Sequence, residues 1–181
     1  MQPHESHIIR EILNGKTEKY AYFLNRYGQQ VFALVVRIVG SQEEAEEITQ
    51  DVFLKAFQEL SSFHADSGFS TWIYRIAANM AISAVRKRKY ELLHLDEAAF
   101  ANLPDELVDE ALDDEREWRL QRLSAAIERL DADERALLTL YYQEEKSIRE
   151  VAYILKISES NAKVKLHRTR KKLYLLIQTE E

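Results

Sequence analysis

The chain has 181 residues, 46% hydrophobic and 31% charged, with four Gly, two Pro and no Cys. That is enough apolar side chain for packed cores and too little Gly and Pro for a fold built on hairpins or barrels. The missing Cys excludes a disulfide framework and a thiolate metal site, and a reducing, cytoplasmic home is expected.

The net charge of −6 disfavours a nucleic-acid partner only until it is divided along the chain. Residues 1–90 carry 11 basic and 10 acidic side chains, 91–118 carry one and 11, and 119–181 carry 13 and 10. The acidity therefore sits in one middle segment, flanked by neutral to basic blocks. Met1 to Arg10 lacks a basic start followed by an apolar stretch, and no apolar run approaches the roughly 18 residues of a membrane span. The chain is expected to be neither secreted nor membrane-spanning.

Leu24, Tyr27, Val31, Leu34, Val35 and Ile38 recur at three- and four-residue spacing, which predicts an amphipathic helix ending at Gly40. Ser41 and Glu44 predict a capping box that opens a second helix. A third is expected from Ser70 or Thr71, with Ile73, Ile76, Ala77, Met80 and Ala84 inward, running into Arg86-Lys87-Arg88-Lys89. Residues 91–118 combine dense like charge with Pro104 and read as a linker; a solvated acidic helix face is the alternative.

Beyond the linker, Leu120, Leu123, Ile127 and Leu130 share a helix face. Asp131 with Glu134, and Ser147 with Glu150, have capping-box spacing. The second box leads a short helix with Ile148, Val151, Ala152 and Leu155 inside, and Lys156-Ile157-Ser158 separates it from a last helix with Ala162, Leu166, Thr169 and Leu173 inward. The predicted fold is all-α: two small helical domains, 1–90 and 119–181, joined by the acidic linker 91–118.

A capped short helix, a three-residue turn and a longer basic helix is the helix-turn-helix plan, whose second helix enters the major groove. Ser160, Asn161, Lys163, Val164, Lys165, His167, Arg168 and Lys171 lie outside the inward stripe, and Lys163 to Lys172 holds six basic residues and no acid. Such side chains suit guanine edges, adenine edges and phosphates. A solvated helix whose cations suit its C-terminal dipole is the bland alternative.

In the third helix Arg75, Asn79, Ser83 and Arg86 share a face opposite the apolar stripe, with Phe63, Phe69, Trp72 and Tyr74 close by. Aromatic rings beside cations suit single-stranded DNA. A small aromatic core with basic residues at a helix end accounts for these residues equally well, and a neutral amide at Asn79 has no evident packing purpose. His4, His7, His64, His94 and His167 form no ligand set with close carboxylates, so no metal or cofactor is expected.

Three runs carry a family resemblance. Phe69 to Lys89 (FSTWIYRIAANMAISAVRKRK) resembles the promoter-melting segment of extracytoplasmic-function (ECF) sigma factors of bacterial RNA polymerase, and Glu43 to Phe57 (EEAEEITQDVFLKAF) resembles their polymerase-binding helix. Ile127 to Leu173 resembles their C-terminal promoter-binding domain, and the three runs stand in family order. The resemblance implies a non-enzymatic initiation factor that binds core RNA polymerase at the β′ clamp helices and the β flap. Thr49, Gln50, Asp51, Leu54 and Lys55 are its polymerase-binding candidates. Phe69, Trp72, Arg75, Asn79, Ser83, Arg86, Lys87 and Arg88 would serve the minus-ten element of promoter DNA. Ser160, Asn161, Lys163, Lys165, His167, Arg168 and Lys171 would serve the minus-thirty-five element. An anti-sigma factor, holding the chain at the inner membrane, is a further expected partner.

The chain departs from the family pattern at Ser83, where an acid is usual, and at Lys156, where a turn glycine is common. Ser160-Asn161-Ala162 stands where Gly-Thr-Val is more usual, which implies a different upstream promoter sequence. A stand-alone helix-turn-helix repressor and an all-helical protein-binding adaptor are the rival functions.

Overall fold

A computed structural model describes residues 3–63, 68–95 and 115–178, and among them every regular element is helical. The N-terminal unit holds α1 (Pro3–Leu13), α2 (Ala21–Val39), α3 (Gln42–Gln58) and α4 (Phe69–Leu95). The C-terminal unit holds α5 (Glu115–Glu128), α6 (Ala132–Leu138), α7 (Ile148–Leu155) and α8 (Glu159–Gln178). A π-helical turn, Thr139–Gln143, continues α6.

In the N-terminal unit α2, α3 and α4 pack on one another around Phe23, Val31, Leu34, Val35, Ile38, Val52 and Ile73, all almost without solvent contact. Leu24, expected inward, is 44% exposed, and its neighbour Phe23 fills the core instead. Gly40 ends α2 in the left-handed conformation (φ 79°), its N–H bonded to the Val36 carbonyl, a geometry open to Gly without Cβ strain. Helix α1 was not anticipated. It buries Ile8, Ile9 and Ile12, and its Glu5 carboxylate accepts a bond from the Tyr27 hydroxyl at 2.5 Å. Burial, and then that bond, push the Tyr27 phenol up to about 12.

The Ser41 box is half made. Ser41 accepts from the Glu44 N–H, but the Glu44 carboxylate also takes the Arg88 guanidinium at 2.8 Å. At Ser147 the box is complete, with Glu150 bonded back to the Ser147 N–H and hydroxyl. Lys156 then takes φ 56° at the end of α7, where a non-glycine residue costs about 1–2 kcal/mol. Helix α4 continues to Leu95 and α5 begins at Glu115, so both extend into the expected linker, whose residues 96–114 lie outside those described.

The two units pack together, α7 and α6 lying along α4, and α6 also on α2. Their buried apolar side chains form one continuous cluster that takes in Ala132, Ala136, Leu137, Leu140, Val151, Ile154 and Leu166 from the C-terminal side.

Candidate nucleic-acid interface

Helix α8 presents its cations to solvent. Ala162, Leu166 and Thr169 are buried, which turns Ser160, Asn161, Lys163, Lys165, His167, Arg168 and Lys171 outward, all of them exposed. The start of the helix is capped by Ser158, whose hydroxyl accepts from the Asn161 N–H at 3.2 Å. Lys172 is drawn back to Glu134 at 2.6 Å, and Arg170 donates to the Tyr142 hydroxyl at 3.4 Å. The seven expected upstream contacts therefore share one open surface behind a three-residue turn.

Helix α4 differs. Arg75, Asn79, Ser83 and Arg86 do share a face, but that face meets the C-terminal unit. The Asn79 amide donates to the Ile154 carbonyl at 3.0 Å and to the Arg75 carbonyl within its own helix. The Arg75 guanidinium lies 4.5 Å from the Tyr153 ring centroid, a cation–π contact. Arg86 pairs with Asp133 at 2.8 Å, and Ser83 donates to the Asn79 carbonyl at 2.7 Å. The amide expected to lack a packing purpose thus has one.

Two further expectations are corrected. Phe69 has no exposed surface; its ring packs 4.0 Å from that of Phe23, so it is core and not a DNA contact. Trp72 is 9% exposed and packed against Phe63 and Phe69, which gives it the core-filling role of its two candidates, although its edge lines a cleft of about 1000 Å³. That cleft runs between α3, α4 and α7 and is also lined by Asp51, Lys55, Arg75, Asn79, Tyr153 and Lys156. Arg88 is held within its own unit by Glu44 and the Val39 carbonyl. Lys87 is exposed.

On α3, Gln50, Asp51, Leu54 and Lys55 are exposed, Leu54 by 56%, an uncovered apolar side chain among polar ones. The Thr49 hydroxyl is instead buried without a hydrogen-bond partner, so this member of the expected docking set points inward.

Comparison with known proteins decides what these surfaces belong to. Residues 23–90 match the family model of sigma-70 region 2, and residues 120–173 match that of sigma-70 region 4. The ECF RNA polymerase sigma factor SigW of Bacillus subtilis is 30% identical over 172 residues, covering 91% of this chain and 92% of the relative. The chain belongs to the ECF sigma factors.

The RNA polymerase sigma-H factor of Pseudomonas aeruginosa is similar at 25% identity, over 93% of this chain and 91% of its own. The fold is shared with the sigma factor RpoE, solved with the anti-sigma factor NepR from Bartonella quintana (TM-score 0.67, 23% identity, 91% and 99% covered). It is shared likewise with CnrH, solved with the cytosolic domain of CnrY (TM-score 0.67, 21% identity, 96% and 97% covered). As a sigma factor, the chain directs transcription initiation, and most of α4 and of α8 lies in regions 2 and 4 respectively.

The groups that meet α4 were not foreseen. Asp133, Glu144, Glu150, Tyr153 and Ile154 of region 4 face Arg86, Tyr74, Thr71, Arg75 and Asn79 of region 2. Burial, followed by the bond to Glu144 at 2.6 Å, raises the Tyr74 phenol far above its ordinary range. Burial would raise Glu150, but bonds from the Ser147 hydroxyl and N–H and the Thr71 hydroxyl outweigh it and hold the carboxylate low. The one advance signal of these partners was acid at the first turns of α6 and α7, where capping explains it without reference to a neighbour. Among the described residues no helix is long and apolar enough to cross a membrane, and no group of three His, Asp or Glu could hold a metal ion.

Proposed function

We propose that this sigma factor divides promoter recognition between α4 and α8 and docks on core RNA polymerase through exposed side chains of α3. Gln50, Asp51, Leu54 and Lys55 meet the β′ clamp helices, and region 4 meets the β flap. Arg75, Asn79, Ser83, Arg86 and Lys87 engage the minus-ten strand. Ser160, Asn161, Lys163, Lys165, His167, Arg168 and Lys171 hold the minus-thirty-five duplex, with base edges read by the polar side chains and phosphates by the cations. The observation that carries this is the open cationic face of α8 behind a capped helix and a three-residue turn.

The chain contributes binding and strand separation, and phosphodiester chemistry belongs to the polymerase. The relatives solved with anti-sigma factors support an anti-sigma partner for this chain too. Such a partner would act in the cytoplasm or tether the chain at the inner membrane.

Reconstitution with core polymerase, followed by sequencing of transcript starts, tests the proposal. Starts should share one upstream and one downstream element. Gln50→Ala with Asp51→Arg should abolish co-purification with polymerase while the helical signal stays unchanged, because reversing charge at a docking face weakens association. Random starts, or wild-type yield of the doubly substituted complex, would reject it.

A further inference from the structure

We infer that the apolar cavity between α2, α5, α6 and α8 is a binding site for a small anionic amphiphile. The ligand is a single-chain carboxylic acid whose head group pairs with Arg135 and whose alkyl chain lies between the helices. None of the residues that line the cavity is among those assigned above to promoter or polymerase, so the inference stands apart from that reading.

The cavity measures about 550 Å³. Sites for small organic ligands run from about 300 to 1,000 Å³ and combine apolar walls with a few polar groups. Here Val36 of α2, Leu123 and Ile127 of α5, Leu138 of α6 and Leu173 of α8 form the walls, all of them half-buried. Apolar side chains around an unfilled space forgo dispersion contacts that an apolar chain would supply. Beside them α6 changes pitch. In its π-helical continuation the Glu144 N–H is bonded to the Thr139 carbonyl at 3.0 Å, and Thr139, Tyr142 and Gln143 face the cavity. Wide turns of this kind are frequent at functional sites.

The charged groups favour an anion. Arg37, Arg135 and Arg170 line the cavity against one acid, Glu128. Two of these guanidiniums have partners: Arg37 lies 3.6 Å from Glu144, and Arg170 donates to the Tyr142 hydroxyl at 3.4 Å. Arg135 differs. Its Nη1 donates to the Glu128 carbonyl at 3.1 Å, but its Nε–H is buried and meets no acceptor among the described residues. Buried polar groups are nearly always paired, so an unmet donor marks a place where an acceptor belongs. Burial, and then the charge of Arg88, push the Arg135 guanidinium below its ordinary value. A nearby anion acts in the opposite sense. The planar fork of a guanidinium matches a carboxylate, which supplies the missing acceptor and the charge together.

The size of the space selects a small molecule over a protein segment. An α-helix with its side chains is about 10–12 Å across and rises about 5.4 Å per turn, so the cavity holds little more than one turn. A helix could enter only by displacing α2 or α5, whereas an alkyl chain needs no such movement. Ser124, Tyr142 and Gln143 are exposed and leave an entrance.

Equilibrium dialysis of the full chain against dodecanoate, kept below the concentration at which it forms micelles, tests the site. Dodecanoate should bind saturably at one site per chain and raise the thermal midpoint, because a ligand held only by the folded form stabilises it. Dodecanol and dodecylammonium, which offer the guanidinium no anion, should bind more weakly by about tenfold or more. Dodecyl phosphate brings a second negative charge toward Glu128 and should also bind less tightly than the carboxylate. Arg135→Gln should weaken dodecanoate by about tenfold and leave dodecanol unchanged. Ser124→Trp, a substitution at an exposed position on the wall, should obstruct both. Absence of saturable binding, dodecanol or dodecyl phosphate binding as tightly as dodecanoate, or unchanged affinity in both variants would each overturn the inference. The comparison of head groups on the wild-type chain decides the matter even where a substitution disturbs folding.

Discussion

Helices α4 and α8 offer similar chemistry, arginines and lysines with an asparagine on a face opposite an apolar stripe, yet they meet different surroundings. The face of α8 is open along its length, whereas that of α4 is matched group by group by region 4. Two helices with the same polar inventory thus differ in what packs on them. Helix composition marks a candidate nucleic-acid face, and tertiary contact decides whether it is exposed.

The largest expected effect lies beneath the α4 face. Phe69→Ala and Trp72→Ala should each destabilise region 2 by about 3–5 kcal/mol, as for a buried aromatic residue. Denaturant unfolding checks this, and a Trp72→Ala midpoint near wild type would return the tryptophan to the DNA surface and weaken the distinction between the two helices.

Next comes the contact of region 4 on that face. Asn79→Ala leaves the Ile154 carbonyl without its donor and should cost about 1–3 kcal/mol, the penalty for an unsatisfied buried acceptor. In the same variant permanganate footprinting should find fewer unpaired promoter thymines. Lost stability with normal thymine reactivity would leave Asn79 a packing residue alone.

On α8, Arg168→Ala and Lys171→Ala should each change stability by no more than about 0.5 kcal/mol, because both side chains are exposed. Transcription from promoters that depend on the upstream element should nevertheless fall. A large stability loss would show that the open face has an unrecognised partner.

The smallest effect is that of pH. Glu150 is held below its ordinary value of 4.5, first by the Ser147 hydroxyl and N–H of the α7 cap and then by Thr71, so its stabilisation of that cap is present above that value and is lost as pH falls through its folded-state value. Acid should therefore loosen the start of α7, read as a loss of helical signal; Glu150→Gln should flatten that response.

How far the sequence revealed this arrangement follows from the range of each interaction. The end of α2 at Gly40, the Ser147 box and the turn at Lys156 are set by residues within four positions of one another, and each was legible. The outward face of α8 followed from helical period alone. Leu24 and Phe23 are adjacent and both apolar, and only packing against the ring of Phe69 selects Phe23. Glu44 has the spacing of a capping residue, but Arg88 competes for it from 44 positions away. The pairing of Thr71 with Glu150 spans 79 positions, and that of Asn79 uses a backbone carbonyl that carries no side-chain signature. Family resemblance singled out α4 and α8 as the candidate promoter helices without revealing that region 4 packs on one of them.

Fluorescence polarisation of the free chain against two labelled oligonucleotides tests the contrast most directly. One carries the upstream element as duplex, the other the minus-ten element as a single strand. The structure predicts weak, salt-dependent affinity for the upstream duplex, since neutralised phosphates release counterions, and no measurable affinity for the minus-ten strand until core polymerase is added. Binding of the minus-ten strand by the free chain as tight as that of its complex with polymerase would contradict the account.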